Sequence, residues 1–490
     1  MSTTVEHTSV EAGPFIGGRF VESSGQERQD SVSPATGQVV GSFALGLPAD
    51  VDRAVAAARD AFESWSSLTV FDRCRYLERL IEEIRNRREE LARLLALEQG
   101  KPYRLEALPE IDETIANIRV AVELAKYLEG TVPQLADPRK RAFVYRVPRG
   151  VVAAIQPWNF PLGTASAQIA PALATGNTVV ALPAPSTTLI EYEWARCFEA
   201  AGFPPGVFNL VTGSGPVVGD AMTAHPDVQV VAFTGSVATG RHIAARASGK
   251  AQLIELGGNG PVVVLDDADL DAVVPDALQS TYGAAGQSCT ASGRFLVHDA
   301  VYDEFAHRLT EAVQREIKLG LPFDDATTMG PLNNAPLAEK LDRHLGTALD
   351  AGATLLTGGG RAKGFPTDLY WEPTVLTGVT ESMAVAVEET FGPIAPLQRI
   401  ASGSEALELM HKSPYGLCAA VYTKDIARGL TFAEKAPSGL VNVNSRPGDT
   451  ETHLPFGGRA GKLSGIGKIL GRYPMEDVFT ELKLISLKLG

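Results

Sequence analysis

Residues 150 to 183 read GVVAAIQPWNFPLGTASAQIAPALATGNTVVALP. Two short apolar runs, GVVAAIQP and NTVVALP, flank a helical stretch, ASAQIAPALATG, and glycine and proline punctuate each change of rhythm. The same alternation runs downstream. The runs VFNLVTG, VQVVAFTG, AQLIELGG and PVVVLDDA are interleaved with the helical segments LIEYEWARCFEAAG, GRHIAARA and LDAVVPDALQS. Apolar runs alternating with helices predict an α/β protein whose parallel sheets are flanked by helices. Upstream, PADVDRAVAAARDAFESW and FDRCRYLERLIEEIRNRREELARLLALEQGK carry apolar residues at helical spacing, the second ending at Gly100. They read as amphipathic helices. A third helical pattern, EIDETIANIRVAVELAKYLEG, leads into RAFVYRVPRGVVAAIQP, whose alternation reads as strand.

A chain of 490 residues exceeds the usual size of one hydrophobic core, so two or more domains are expected. The net charge of -14 works against phosphate backbones and anionic lipid. No apolar run is long enough to span a bilayer, and the polar start MSTTVEHTSVEAGPF lacks the features of a signal peptide. These observations exclude nucleic acid and membrane partners and predict a cytoplasmic protein. The four cysteines, Cys74, Cys197, Cys289 and Cys418, have no paired spacing, which suits neither a disulfide framework nor a zinc site. HExxH is absent, and GRAGKLSG departs from a P-loop because Leu463 follows Gly-Lys. No metal is expected.

In open parallel sheets, ligands bind beyond the carboxyl ends of strands. After VVAF comes TGSVATG with a helix behind it, which is a site for a pyrophosphate on helix N–H groups. GSGPVVG, residues 213 to 219, is a competing glycine-rich candidate. A second unusual stretch is YGAAGQSCTASGRF, residues 282 to 295, where one thiol stands among small residues. Cys74, Cys197 and Cys418 sit in apolar patterns and read as small buried hydrophobes.

Taken together, QPWNFP (156 to 161), FTGSVATG (233 to 240), IELGGNGP (254 to 261), GQSCT (286 to 290) and EETFGP (388 to 393) resemble, in order and spacing, the NAD(P)-dependent aldehyde dehydrogenase family. The resemblance runs from about Pro14 to FTELKLISL. It implies a doubly wound parallel-sheet cofactor domain from 14 to 129 and 150 to 256, and an α/β catalytic domain from 257 to 477. A small β extension, 130 to 149 with 478 to 490, would form oligomerisation strands after a disordered tail of residues 1 to 13. Pairing of those strands between subunits would cover an exposed edge and give a homodimer or homotetramer.

The resemblance also implies roles. Cys289 would attack the aldehyde as a thiolate, forming a thiohemiacetal and then a thioester. Small neighbours would leave room for substrate. The Asn159 amide, with the Cys289 backbone N–H, would stabilise the oxyanion. Glu255 would activate the hydrolytic water. The cofactor, NAD or NADP, would contact Gln156, Pro157 and Trp158, Leu182 and Pro185, Gly235, Ser236 and Gly240, and Leu256 and Gly257. Glu389 would bind its nicotinamide ribose, with Phe391 holding the ring. GSGPVVG would then serve helix packing.

Several positions depart from the family pattern. Leu182 stands where a lysine is usual, and Pro185 where glutamate or serine is frequent, so weak cofactor binding and poor discrimination between NAD and NADP are expected. Asn259 replaces a frequent lysine and Ile469 a frequent glutamate. Relatives acting on semialdehydes carry arginines at the positions of Ala167 and Gly283. A carboxylate buried without a partner is costly, which favours a neutral aliphatic or aromatic aldehyde unless Arg446 substitutes. Alternatives are release of the thioester to coenzyme A, against which Glu255 argues, and a cofactor-independent cysteine hydrolase or structural oligomer on the same fold.

Overall fold

In the computed structural model, which describes residues 10–489, Val151–Ile155 and Thr178–Leu182 pair in parallel from Val151 against Thr178 to Ile155 against Leu182. The helix Pro161–Ala174 connects them. Every residue of both strands is buried, because helices cover both faces of the sheet. The chain builds outward on one side to Phe208–Leu210, then returns to lay Val228–Gly235 and Ala251–Leu256 on the other side of Val151–Ile155. That reversal makes the sheet doubly wound. It also opens a crevice between Val151–Ile155 and Val228–Gly235, where the loops leaving the strands diverge.

Short antiparallel strands close this sheet's edges: Phe15–Ile16 and Arg19–Phe20 on one side, Gly465–Ile466 on the other. The second sheet is centred on Gly260–Val264, with Ser292–His298, Ile394–Ile400 and Thr374–Thr377 to one side and Cys418–Tyr422 and Leu440–Val443 to the other. All of these pairings are parallel. Its strands fall inside the expected 257–477 block, but Gly465–Ile466 returns to pair with Ile254 and Glu255 of the first sheet. The return covers what would otherwise be an open edge.

Three local features differ from expectation. The segment ending at Gly100 forms two helices, Val70–Asn86 and Arg88–Gln99, broken at Arg87 (φ -108, ψ 11). The break turns the Arg87 guanidinium onto the Glu193 carboxylate at 2.6 Å and Glu90 at 2.7 Å. Gly100 caps the second helix in the left-handed region (φ 91), as a C-terminal glycine does. Residues Val10–Ala12, expected in the disordered tail, form a strand parallel to Val39–Ala44, with Ala12 fully buried; residues 1–9 lie outside the described residues. Finally, Lys140–Pro148 and Thr480–Lys488 pair with each other within the chain, antiparallel from Lys140 against Lys488 to Pro148 against Thr480. Leu482, Leu484, Ile485 and Leu487 of this ribbon are exposed. No helix among the described residues is long and apolar enough to cross a membrane.

Candidate active site

Gln156 to Asn159 leave the carboxyl end of Val151–Ile155, and Ser236 leaves that of Val228–Gly235. Gly258, Cys289 and Phe391 precede the amino ends of Gly260–Val264, Ser292–His298 and Ile394–Ile400. The outgoing ends of the first sheet thus face the incoming ends of the second, and a cavity of about 750 Å³ lies between them. It gathers Gln156, Pro157, Trp158, Asn159, Leu182, Pro185, Gly235, Ser236, Glu255, Leu256, Gly257, Cys289, Glu389 and Phe391 on one wall system. Gly240 alone of the expected residues is not on it. A Cβ there would lie 2.2 Å from Leu256 Cδ2, so Gly240 lets the helix Val237–Arg246 close onto the strand.

The loop before Cys289 is strained. Ala284 (φ 50), Ala285 (φ 53) and Gly286 (φ 74) are consecutively left-handed, a conformation that costs about 1 to 2 kcal/mol for each alanine. Surrounding contacts hold it there. Glu106 Oε1 accepts the Ala284 N–H at 2.8 Å, and Gln287 Nε2 donates to the Ala284 carbonyl at 2.9 Å. A Cβ on Gly286 would lie 2.3 Å from the Gly392 carbonyl oxygen. The small residues before the thiol are therefore consumed by this buried turn, while Ser288 and Thr290 face the cavity.

Opposite Cys289, Asn159 is buried, and its Nδ2 donates to the Gln287 carbonyl at 2.9 Å. A primary amide has two such protons, which leaves one for the cavity. Lys101 Nζ donates to the Asn159 carbonyl at 2.9 Å and to Glu110 Oε2 at 2.6 Å. Glu110 Oε1 accepts the N–H groups of Leu162 and Gly163, at the first turn of Pro161–Ala174. Both side chains of the Lys101–Glu110 pair are 1% exposed.

Glu255, at the end of its strand, is buried with Oε1 unpartnered. Burial pushes its carboxyl well above the ordinary range, with nearby Lys468 pulling the other way. The Cys289 thiol is also raised well above its ordinary value, first by burial and then by the charges of Glu255, Cys418 and Glu389. Glu389 Oε1 accepts the Gly258 N–H at 2.9 Å, and burial raises its carboxyl too. Gly257 lets the carboxylate lie close against the backbone, since a Cβ there would meet Glu389 Oε2 at 2.3 Å. Phe391 adopts a left-handed φ of 59 and meets Trp158 edge to face, centroids 5.6 Å apart. At the other end, Ser236 caps Val237–Arg246 by accepting the Thr239 N–H at 3.3 Å. Leu182 and Pro185 contribute only hydrocarbon to the wall between.

The supporting residues Lys101, Glu106, Glu110 and Lys468 were not among those the motifs single out. Only Lys101 left a trace in the sequence, as the charged residue directly after a helix-ending glycine.

A thiol, an amide donor and a buried carboxylate thus meet in one crevice between the two sheets, the arrangement of an enzyme active site. A sequence model of the aldehyde dehydrogenase family matches residues 20–485, and this chain belongs to that family, whose members oxidise aldehydes to carboxylic acids with NAD(P)+. It is 39% identical over 477 residues to 3-sulfolactaldehyde dehydrogenase of Pseudomonas putida, covering 96% of each chain. It is 38% identical over 477 residues to mitochondrial succinate-semialdehyde dehydrogenase of Arabidopsis thaliana, covering 96% of this chain and 88% of the relative. The crystal structure of betaine aldehyde dehydrogenase from Staphylococcus aureus in complex with NAD+ superposes with a TM-score of 0.94 at 36% identity, covering 98% and 95% of the two chains.

Proposed function

We propose that this protein oxidises its aldehyde through a thioester on Cys289 that is released to water by Glu255. The observation that carries the reading is the meeting, in one cavity, of Cys289, Asn159 and a buried carboxylate with an unpartnered oxygen. The Cys289 thiol gives its proton to solvent, and the thiolate adds to the carbonyl carbon. The free Nδ2 proton of Asn159 and the Cys289 backbone N–H bind the resulting oxyanion, each donor contributing about 3 kcal/mol. Bound nicotinamide supplies the acceptor for the hydride that leaves the thiohemiacetal. Glu255 then takes a proton from water as its oxygen attacks the thioester, and the carbon–sulfur bond breaks to return Cys289 and release the acid. The buried, unpartnered Glu255 supports release to water over release to coenzyme A.

The residues present fit a nicotinamide dinucleotide. The Ser236–Val237 helix terminus offers N–H groups to a pyrophosphate, Glu389 keeps Oε2 free for ribose hydroxyls, and Phe391 forms a wall at the Cys289 end. Leu182 and Pro185 offer the adenosine ribose no hydrogen bond, which supports weak binding with little discrimination between NAD and NADP. The exposed apolar row on Thr480–Lys488 supports assembly into a homodimer or homotetramer through the ribbon. The four unpaired thiols suit a reducing cytoplasm. Ala167 and Gly283 favour a neutral aldehyde, whereas Arg446 on the same cavity wall argues for an anionic one.

The test is nicotinamide reduction, followed by absorbance, with purified protein, an aldehyde panel and either cofactor, repeated with Cys289→Ala. Turnover lost in the variant supports the thioester route. Turnover that survives it overturns the role of Cys289.

A further inference from the structure

Resting on the dehydrogenase reading above, we infer that Arg446 recognises an anionic group on the substrate, so that the preferred aldehydes carry a carboxylate or sulfonate a few atoms from the carbonyl. Arg446 is half-buried and lines the cavity that holds Cys289. Among the described residues its guanidinium meets no carboxylate and no carbonyl oxygen. Only its backbone oxygen is engaged, by Asn442 Nδ2 at 2.7 Å and the Asp449 N–H at 3.1 Å.

The turn that carries it is fixed in place. Asn442 Nδ2 also donates to the Asp449 carbonyl at 2.8 Å, and the Ser445 hydroxyl donates to the Asp449 carboxylate, the nearest acid in sequence. A Cβ on Gly448 would lie 2.5 Å from Thr290 Oγ1, so the turn rests on the residue after the nucleophile. Thr450, on the same wall, has a buried hydroxyl without a partner. A guanidinium is permanently charged, and its fork fits a carboxylate or sulfonate through two parallel N–H···O bonds. A charge removed from water without a protein partner is stabilised when the ligand brings one.

Three acids share the cavity wall, Glu113, Glu255 and Glu389, and so does a second cation, Lys340. Glu113 is exposed to solvent, and the charges of Glu389 and Glu388 act on Lys340. Of the two cations on this wall, Arg446 is the one carried by the turn that rests on Thr290, beside the nucleophile. This overrides the expectation drawn from Ala167 and Gly283, because the cation enters from a different loop.

The experiment compares kcat/KM for succinic semialdehyde, 3-sulfolactaldehyde, butanal and betaine aldehyde at saturating cofactor, in the wild type, R446M and R446K. In the wild type, at least one of the two anionic aldehydes should exceed butanal by about 10- to 100-fold, the range for hydrogen bonds to a charged group. The ratio of the two anions tells carboxylate from sulfonate recognition. R446M should shrink the anionic-to-butanal ratio by a similar factor, and R446K should keep part of it. Three outcomes overturn the inference while leaving the dehydrogenase reading intact: butanal matching both anions in the wild type, betaine aldehyde proving the best substrate, or R446M lowering the anionic and neutral rates equally. Absence of turnover with every aldehyde refutes the dehydrogenase reading and this inference with it.

Discussion

Replacing Lys101 by methionine should damage both stability and catalysis although the residue touches no substrate. Its ammonium lies 2.6 Å from Glu110 with both side chains 1% exposed, so the variant leaves a carboxylate buried without its partner. Breaking one side of such a pair costs about 3 to 5 kcal/mol. For a cooperative unit of some 150 to 250 residues this lowers the melting temperature by roughly 6 to 20 °C. Catalysis suffers separately, because Nζ also anchors the Asn159 carbonyl at 2.9 Å. A small displacement of the oxyanion donor should lower kcat about 10- to 100-fold. The double variant K101M/E110Q separates the effects. Glutamine keeps Oε1 for the Leu162 and Gly163 N–H groups, so stability should largely return, while the Asn159 anchor stays missing and kcat stays low. Calorimetric melting and steady-state kinetics on the three proteins make the test, with solvent-facing Lys363→Met as control. If K101M melts with the control and keeps wild-type kcat, the pair has no such role and the reasoning fails.

Three further outcomes are expected. L182K should place an amine at the adenosine end of the cavity and lower KM for NADP+ about tenfold, read from initial rates. The thiol of Cys289 is held high by burial and secondarily by Glu255, so its alkylation rate by iodoacetamide should climb with pH above neutrality, and E255Q should shift that profile to lower pH. Glu98 and Glu106 are buried, with carboxyls pushed up to about 7 from an ordinary 4.5, so the folded chain holds protons that the unfolded chain has released. Their contribution to stability must therefore fall as pH rises from 4.5 to about 7 and level off above, which melting curves taken across that range will show.

The doubly wound sheet was legible because its strands are wholly buried and so read as unbroken apolar runs between glycines. The candidate chemical side chains were legible through the order and spacing of QPWNFP, IELGGNGP, GQSCT and EETFGP, whose resemblance to a known family named Asn159, Glu255, Cys289 and Glu389. What the sequence concealed depends on contacts between distant residues. Nothing local shows that Lys101 and Glu110 are buried together under Asn159, or that Glu106 holds Ala284 in a left-handed turn. At the break, Arg87 pairs with Glu193, more than a hundred residues away. The strand Val10–Ala12 exists because Val39–Ala44 offers it an edge. Gly240 reads as a cofactor contact by motif and proves to serve the packing of Leu256.

A thioester on Cys289 that Glu255 clears with water would show itself on mixing E255Q with aldehyde and cofactor, quenching, and weighing the intact protein while counting reduced nicotinamide. The expected result is a single burst of about one reduced nicotinamide per active site, with the acyl mass on Cys289 persisting after the burst ends. Continued reduction at the wild-type rate with no adduct, or an adduct on another residue, would contradict it.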